Sequence, residues 1–175
     1  VLTYKEYDAL IASAAESKLL LLRDFIEILY STGARYSEVM NLLRDDVDFE
    51  KKVGTFRDTK NGDDRTIPLA DNVLEILKRY PFGKTFFRVT SYDSYNWFFN
   101  QACKRAGIEN FRSHDLRACF ITNALLSGMS EASVAAISGH KDYRSMKRYT
   151  RIKAQDLIDD VNRISTIREL KKINS

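Results

Sequence analysis

The chain has 175 residues, 44% apolar and 30% charged, which bounds it to one compact domain with a core of its own. No apolar run exceeds four residues, Leu19–Leu22 among them, against the ~20 that a membrane-spanning helix needs, and seven Gly with two Pro exclude collagen-like and low-complexity classes. The net charge of +4 is uneven: residues 1–100 hold 14 basic against 16 acidic side chains, whereas residues 101–151 hold 9 against 4, so the third quarter reads either as a phosphate-binding face or as a solvated helical surface.

Two cysteines, Cys103 and Cys119, and two histidines support neither a disulfide scaffold nor a zinc cluster, which suits a reducing cytoplasm. No basic–apolar–small leader pattern opens the chain. It begins at Val1 without a Met, so a fragment of a longer protein is expected.

In chain order, Thr3 with Glu6 fits a capping box for an amphipathic helix to about Glu16. Leu19–Leu29 predicts an apolar helix that Gly33 terminates, and Ser37–Arg44 a further short one. Val47–Phe49, Gly54–Arg57 and Arg65–Leu69 alternate and carry β-branched residues, the pattern of strands, with Asn61-Gly62 as a hairpin turn between the last two. Asp71–Tyr80 predicts a helix ended by Pro81, and Ser91–Ala106 another ended by Gly107. Ser113 is the expected N-cap of a helix to Leu126, and Ser130 of one to Ser138. A helix opening at Asp142 or Tyr143 runs through Tyr149. Ala154–Lys172 carries Leu157, Val161, Ile164, Ile167 and Leu170 on one stripe. The sum is an α+β chain, mainly α-helical, with a small three-stranded antiparallel sheet.

Five short stretches carry chemistry: Thr32-Gly33-Ala34-Arg35-Tyr36-Ser37-Glu38, Thr59-Lys60-Asn61-Gly62, His114-Asp115-Leu116-Arg117, Ser138-Gly139-His140 and Arg148-Tyr149-Thr150. They supply cations and donors for phosphate oxygens and a hydroxyl able to attack phosphorus, with no carboxylate cluster among them. Each residue also has a plainer reading. Arg35 can grip two phosphate oxygens through its planar fork, or pair at the surface with Glu38. Lys60 can carry an ammonium on a hairpin tip, or be a solvated loop lysine. His114 and Arg117 share a helical face at an N-terminus that favours anions, or His114 is a capping histidine. His140 is a donor, or a histidine stabilised at a helix C-terminus. Tyr149 is a nucleophile, or a packing residue. The acidic stretches Asp45-Asp46-Val47-Asp48 and Asp63-Asp64 lack the glycine and distal Glu of a calcium loop and read as solvated turns.

In order and spacing these stretches strongly resemble the catalytic domain of tyrosine recombinases, the phage-integrase family that includes Xer-type enzymes. That family carries an Arg in T-G-x-R-x-S-E, a Lys at a β-hairpin, H-x-x-R, G-H, and a Tyr nine residues past that His. Here they fall on Arg35, Lys60, His114 with Arg117, His140 and Tyr149, and the match covers about residues 2–152. Two details depart from the pattern. Ser138 replaces the usual Leu before G-H, and Lys141–Arg148 lacks the paired Thr common before the nucleophile.

The resemblance implies a site-specific recombinase that cleaves and rejoins DNA through a 3′-phosphotyrosyl link made by Tyr149. Arg35, Arg117 and His140 would bind the non-bridging oxygens, Lys60 would protonate the leaving 5′-oxygen, and His114 would help accept the tyrosine proton. It implies no cofactor and no metal. The partners would be double-stranded DNA and, for the full-length protein, a homo-tetramer on that DNA. It also implies a cytoplasmic, nucleoid-associated location in a bacterium. Lys104, Arg105, Arg112, Lys141, Arg144, Lys147, Arg148 and Arg151 are candidates for phosphate contacts. Residues 1–175 read as one catalytic domain with a helical tail at about 153–175, packed in cis or on a neighbouring protomer; the N-terminal DNA-binding domain of full-length relatives has no counterpart here. A type IB topoisomerase-like nicking and resealing enzyme, or a catalytically silent DNA-binding module, are the alternative functions.

Overall fold

The computed structural model describes residues 1–57, 64–87 and 91–140. The predicted turn at Asn61-Gly62, the helix ending at Tyr149 and the stripe over Ala154–Lys172 lie outside these residues, as do Lys60 and Tyr149 themselves.

Among the described residues the order is α1 (Tyr4–Ala15), α2 (Leu22–Thr32), α3 (Tyr36–Met40), a 3-10 turn (Arg44–Asp46), β1 (Val47–Asp48), β2 (Val53–Phe56), β3 (Arg65–Pro68), α4 (Asp71–Lys78), α5 (Tyr92–Arg105), α6 (Asp115–Leu126) and α7 (Glu131–Ser138). The strands form one antiparallel sheet in the order β1-β2-β3, with Phe56 opposite Arg65 and Gly54 opposite Ile67. The α+β reading therefore holds. No helix among the described residues is long and apolar enough to cross a membrane.

Local chemistry sets the ends. Thr3 Oγ1 accepts from Glu6 N, and Glu6 Oε2 accepts from Thr3 N at 2.8 Å, the anticipated capping box. α2 begins three residues later than the leucine run predicts. Ser17 Oγ accepts from Leu19 N, and Leu19 O accepts from Leu22 N, so a tight turn uses up the first leucines. Leu20 is left 91% exposed. α3 stops at Met40, short of Arg44. The Arg44 guanidinium instead donates to Gly83 O and Phe82 O and lies 4.4 Å from the Phe86 ring, which pulls the chain toward the segment after α4. The cap of α6 is His114, not Ser113: the buried Ser113 hydroxyl is hydrogen-bonded to Tyr95 Oη at 2.8 Å.

The core is built round α2, whose Leu22, Phe25, Ile26 and Ile28 are wholly buried. Each such side chain contributes about 1.5–3 kcal/mol. Phe25 packs against Tyr36, Phe87 and Tyr95 with ring centroids 5.2–5.3 Å apart. Tyr7 of α1 stacks on Tyr30 of α2 at 3.9 Å, and Asn123 of α6 donates to Tyr30 Oη. These contacts fix α1 and α6 on α2, so the two ends that carry Gly33 and His114 share a rigid base.

Gly33 closes α2 at φ +62°, and a Cβ there would lie 2.4 Å from Phe120 Cδ1 of α6. A left-handed L residue costs about 1–2 kcal/mol, and forcing Phe120 aside adds overpacking of about 1–3 kcal/mol. Gly33→Ala is thus expected to lower stability by at least about 2 kcal/mol in urea denaturation.

Candidate active site

The site begins at the turn after α2. Thr32 Oγ1 donates to Ile28 O at 2.6 Å and accepts from Ala34 N at 3.2 Å, which holds the backbone on either side of Gly33. The chain then presents Arg35, and Glu38 in the following helical turn reaches back to it. Glu38 Oε2 accepts from Arg35 N at 2.6 Å, and Oε1 accepts from Arg35 Nη1 at 2.9 Å. The Arg35–Glu38 pairing read from the sequence is present, but it is no surface pair. The Glu38 side chain is only 3% exposed, and it takes a second guanidinium. Arg65 of β3 donates from Nη1 to Oε1 at 2.5 Å and from Nη2 to Oε2 at 2.9 Å. Burial alone would raise the Glu38 carboxyl; the hydrogen bonds from Arg65 and from the Arg35 backbone, with both positive charges, outweigh it and hold the group below its ordinary 4.5.

Arg117 stands on α6 three residues past His114 and is 5% exposed. Its Nη1 donates to Gly33 O at 2.7 Å, and its Nη2 lies 3.1 Å from His140 Nδ1. A guanidinium only donates, so this contact makes Nδ1 the acceptor and leaves the ring proton on Nε2, the nitrogen able to serve an anion. Ser138 Oγ, fully buried, lies 2.7 Å from Val134 O and 2.8 Å from the same Nδ1. The residue that departs from the family pattern thus touches the imidazole directly, which a leucine side chain has no polar atom to do.

Arg35, His114 and Arg117 line one cleft of about 390 Å³ together with Tyr36 and Tyr92. Arg117 ties His140 to them. Desolvation at this cleft, reinforced by the Arg117 charge, holds the His114 imidazole below its ordinary 6.5. It is therefore neutral at physiological pH and able to take a proton. The described members of the constellation are brought together; Lys60 and Tyr149 lie outside the described residues. No group of three His, Cys, Asp or Glu side chains gathers to hold a metal ion among the described residues.

Three side chains of the site were not expected among its members from the sequence. Arg65 was legible only as a strand residue, although it alternates with Ile67 on the inner face of β3; a charge on a buried face is the signal that pointed to it. Glu38 gave no sign of burial, and Ser138 appeared only as a departure. Two other readings gain partners. Arg105 Nη2 donates to Ser13 O at 2.9 Å, so this guanidinium also joins α5 to α1. Asp46 accepts from Arg57 at 2.6 and 2.8 Å, and Asp48 Oδ1 accepts from the Glu50 and Lys51 backbone; these acids organise the sheet's first turn.

The depressed Glu38 carboxyl makes stability pH-dependent with a definite sign. Its contribution is present above the ordinary carboxylate value and is lost as pH falls through the folded value. The stability gap between wild type and Glu38→Gln is expected to be about 3–5 kcal/mol near neutrality, as for other broken buried pairs. It should narrow steadily on acidification in parallel urea titrations.

With this geometry in place, comparison with known proteins is direct. A model described as the phage integrase family matches residues 1–156. The tyrosine recombinase XerA of Saccharolobus solfataricus is 32% identical, with 75% of this chain and 46% of that protein covered. XerA of Pyrococcus furiosus is 30% identical, with 97% and 63% covered. The solved catalytic domain of bacteriophage HP1 integrase superposes with a TM-score of 0.74 at 27% identity, with 92% of each chain covered. The chain thus spans less than two thirds of these XerA relatives and nearly all of that single-domain structure. By the extent of the family match, the chain is a member of the phage integrase family.

Proposed function

We propose that this chain is the catalytic part of a site-specific DNA recombinase that cuts and rejoins a strand through a 3′-phosphotyrosyl intermediate. The observation that supports it most is the Arg117 guanidinium, buried and bonded at once to Gly33 O beside Arg35 and to His140 Nδ1. That arrangement holds three donors for the oxygens of one phosphodiester.

The chemistry follows from the residues. Tyr149 Oη attacks the scissile phosphorus and passes its proton to His114, which is neutral for the reason given above. The bond from phosphorus to the 5′-oxygen breaks, and Lys60 gives that oxygen a proton. Arg35, Arg117 and the Nε2 proton of His140 carry the charge that builds on the non-bridging oxygens. Donors of this kind are worth about 10²–10³ in rate each, and general acid–base transfer about 10²–10⁴. A 5′-hydroxyl from a second strand then attacks the phosphotyrosyl phosphorus. The phosphodiester re-forms and Tyr149 is released. The bond energy stays in the covalent link, so no nucleotide triphosphate enters.

The DNA partner fits the excess of basic residues in the third quarter of the chain. Within it, Lys104 and Arg112 line an open depression at the end of α5, next in sequence to His114. A tetramer on DNA belongs to the full-length protein in this reading.

Mixed with nicked suicide duplexes, the wild-type protein should leave a covalent adduct after denaturation. Tyr149→Phe should leave none while binding DNA with unchanged affinity; adducts that persist in Tyr149→Phe would assign the nucleophile elsewhere. Exchange of strands between two sites, as against relaxation of supercoils alone, separates the recombinase from a topoisomerase-like enzyme. The single-turnover cleavage rate should be flat around neutrality and fall on acidification, with its midpoint under the ordinary histidine value of 6.5. His114→Gln should lower the plateau by about 10²–10⁴ and abolish that acid limb.

A further inference from the structure

Among the described residues, one well-buried charged assembly stands behind the proposed phosphate-binding groups. It is Arg65, at the first position of β3, with its side chain 11% exposed and its partner Glu38 3% exposed. Its guanidinium makes three kinds of contact. Two donors clamp both oxygens of Glu38, the carboxylate that also holds Arg35 by backbone and side chain. Nε donates to Ile137 O at 2.7 Å, in the last turn of α7. The flat face lies against Gly139, where a Cβ would meet Nη1, Cζ and Nε at 3.1–3.2 Å. Gly139 turns at φ +73° and delivers His140. A side chain at position 139 would be strained and would crowd the guanidinium, so the close approach requires glycine.

One planar group therefore touches the anchor of Arg35, the turn that aims His140, and the strand that follows the Lys60 segment. These three pieces are far apart in sequence, and the one guanidinium bonds to Glu38 of α3 and to Ile137 of α7 from its place on β3. A lysine has the charge but not the fork, and it cannot serve two carboxylate oxygens and a carbonyl in one plane.

We infer that Arg65 is a positioning residue for the proposed phosphoryl-transfer site: its bidentate grip on Glu38 and its bond to Ile137 O set the spacing between Arg35 and His140. In this role Arg65 acts through Glu38 and Ile137 O and not on the substrate. This inference rests on the recombinase reading for its catalytic consequence, but its geometric content stands on the contacts alone. Displacement of a positioned group by about 1 Å costs on the order of 10² in rate.

The test compares wild type with Arg65→Lys, which keeps the charge opposite Glu38 and avoids the bare buried carboxylate that Arg65→Met would leave. Both proteins are melted, titrated with duplex DNA, and run at saturating protein on nicked suicide duplexes. The ring resonances of the two histidines are recorded in parallel. Arg65→Lys is expected to melt within a few degrees of wild type and to bind DNA within about threefold. Adduct formation should slow on the order of 100-fold, and the His140 ring resonances should shift. An adduct rate equal to wild type with the fold intact overturns the inference. Parallel loss of melting temperature, binding and rate also overturns it, in favour of a purely structural ion pair. If wild type itself forms no adduct, the recombinase reading fails separately. The His140 resonances then decide: a shift in Arg65→Lys upholds the positioning role, and an unmoved ring overturns it.

Discussion

One side of this site hangs on one buried carboxylate held between two guanidinium groups. Glu38 is desolvated, so as an isolated charge it would be costly to bury. Arg35 and Arg65 make it tolerable by supplying donors to both oxygens. The exchange is mutual. Arg35 is restrained by a group that cannot move into solvent, and Arg65 is drawn onto the inner face of β3 beside Ile67. A buried pair of this kind is weak evidence of added stability. Its value here is positional, because the carboxylate fixes where the two cations stand.

A second frame lies at right angles to the first in its chemistry. Arg117 uses a main-chain carbonyl, Gly33 O, and an imidazole nitrogen, His140 Nδ1, in place of a carboxylate. Its charge stands at the wall of the cleft that Arg35 and His114 also line. The same charge lowers the proton affinity of His114 one helical turn away. In the proposed mechanism one buried cation thus serves both the bound anion and the base.

Most of the fold was legible because it rests on local rules. Thr3 with Glu6, Ser91, Ser130, and the glycines at 33, 107 and 139 mark helix ends by side-chain capping or left-handed backbone, and these act within a few residues. Boundaries failed where a distant partner intervened: Arg44 is taken by Phe82 and Gly83, and Ser113 by Tyr95. The site divides in the same way. Arg35, His114, Arg117 and His140 stood out through motif order, and the cleft that gathers the first three was implied by it. Arg65 and Glu38 did not stand out, since a carboxylate and a guanidinium 27 positions apart look like ordinary surface charges until the sheet and the helices are folded together. Ser138 is intermediate. Its departure from the family pattern was visible, but its contact with the imidazole was not.

The pairing of β2 with β3 carries a consequence beyond geometry. Side chains along a strand alternate between faces, so a slip of one residue turns the inner set outward. Here the inner set is Arg65 with Ile67, and Thr66 faces out. A chain that folded with β3 displaced by one residue would bury Thr66, lose the grip on Glu38, and break the link that runs through Arg65 from Arg35 to the α7 turn. Under the proposed function, such an error is expected to yield an inert protein and not a careless nuclease. For an enzyme of the proposed kind, whose every cut must be rejoined, accurate folding and licence to cut are then the same event, and genome safety is written into strand register.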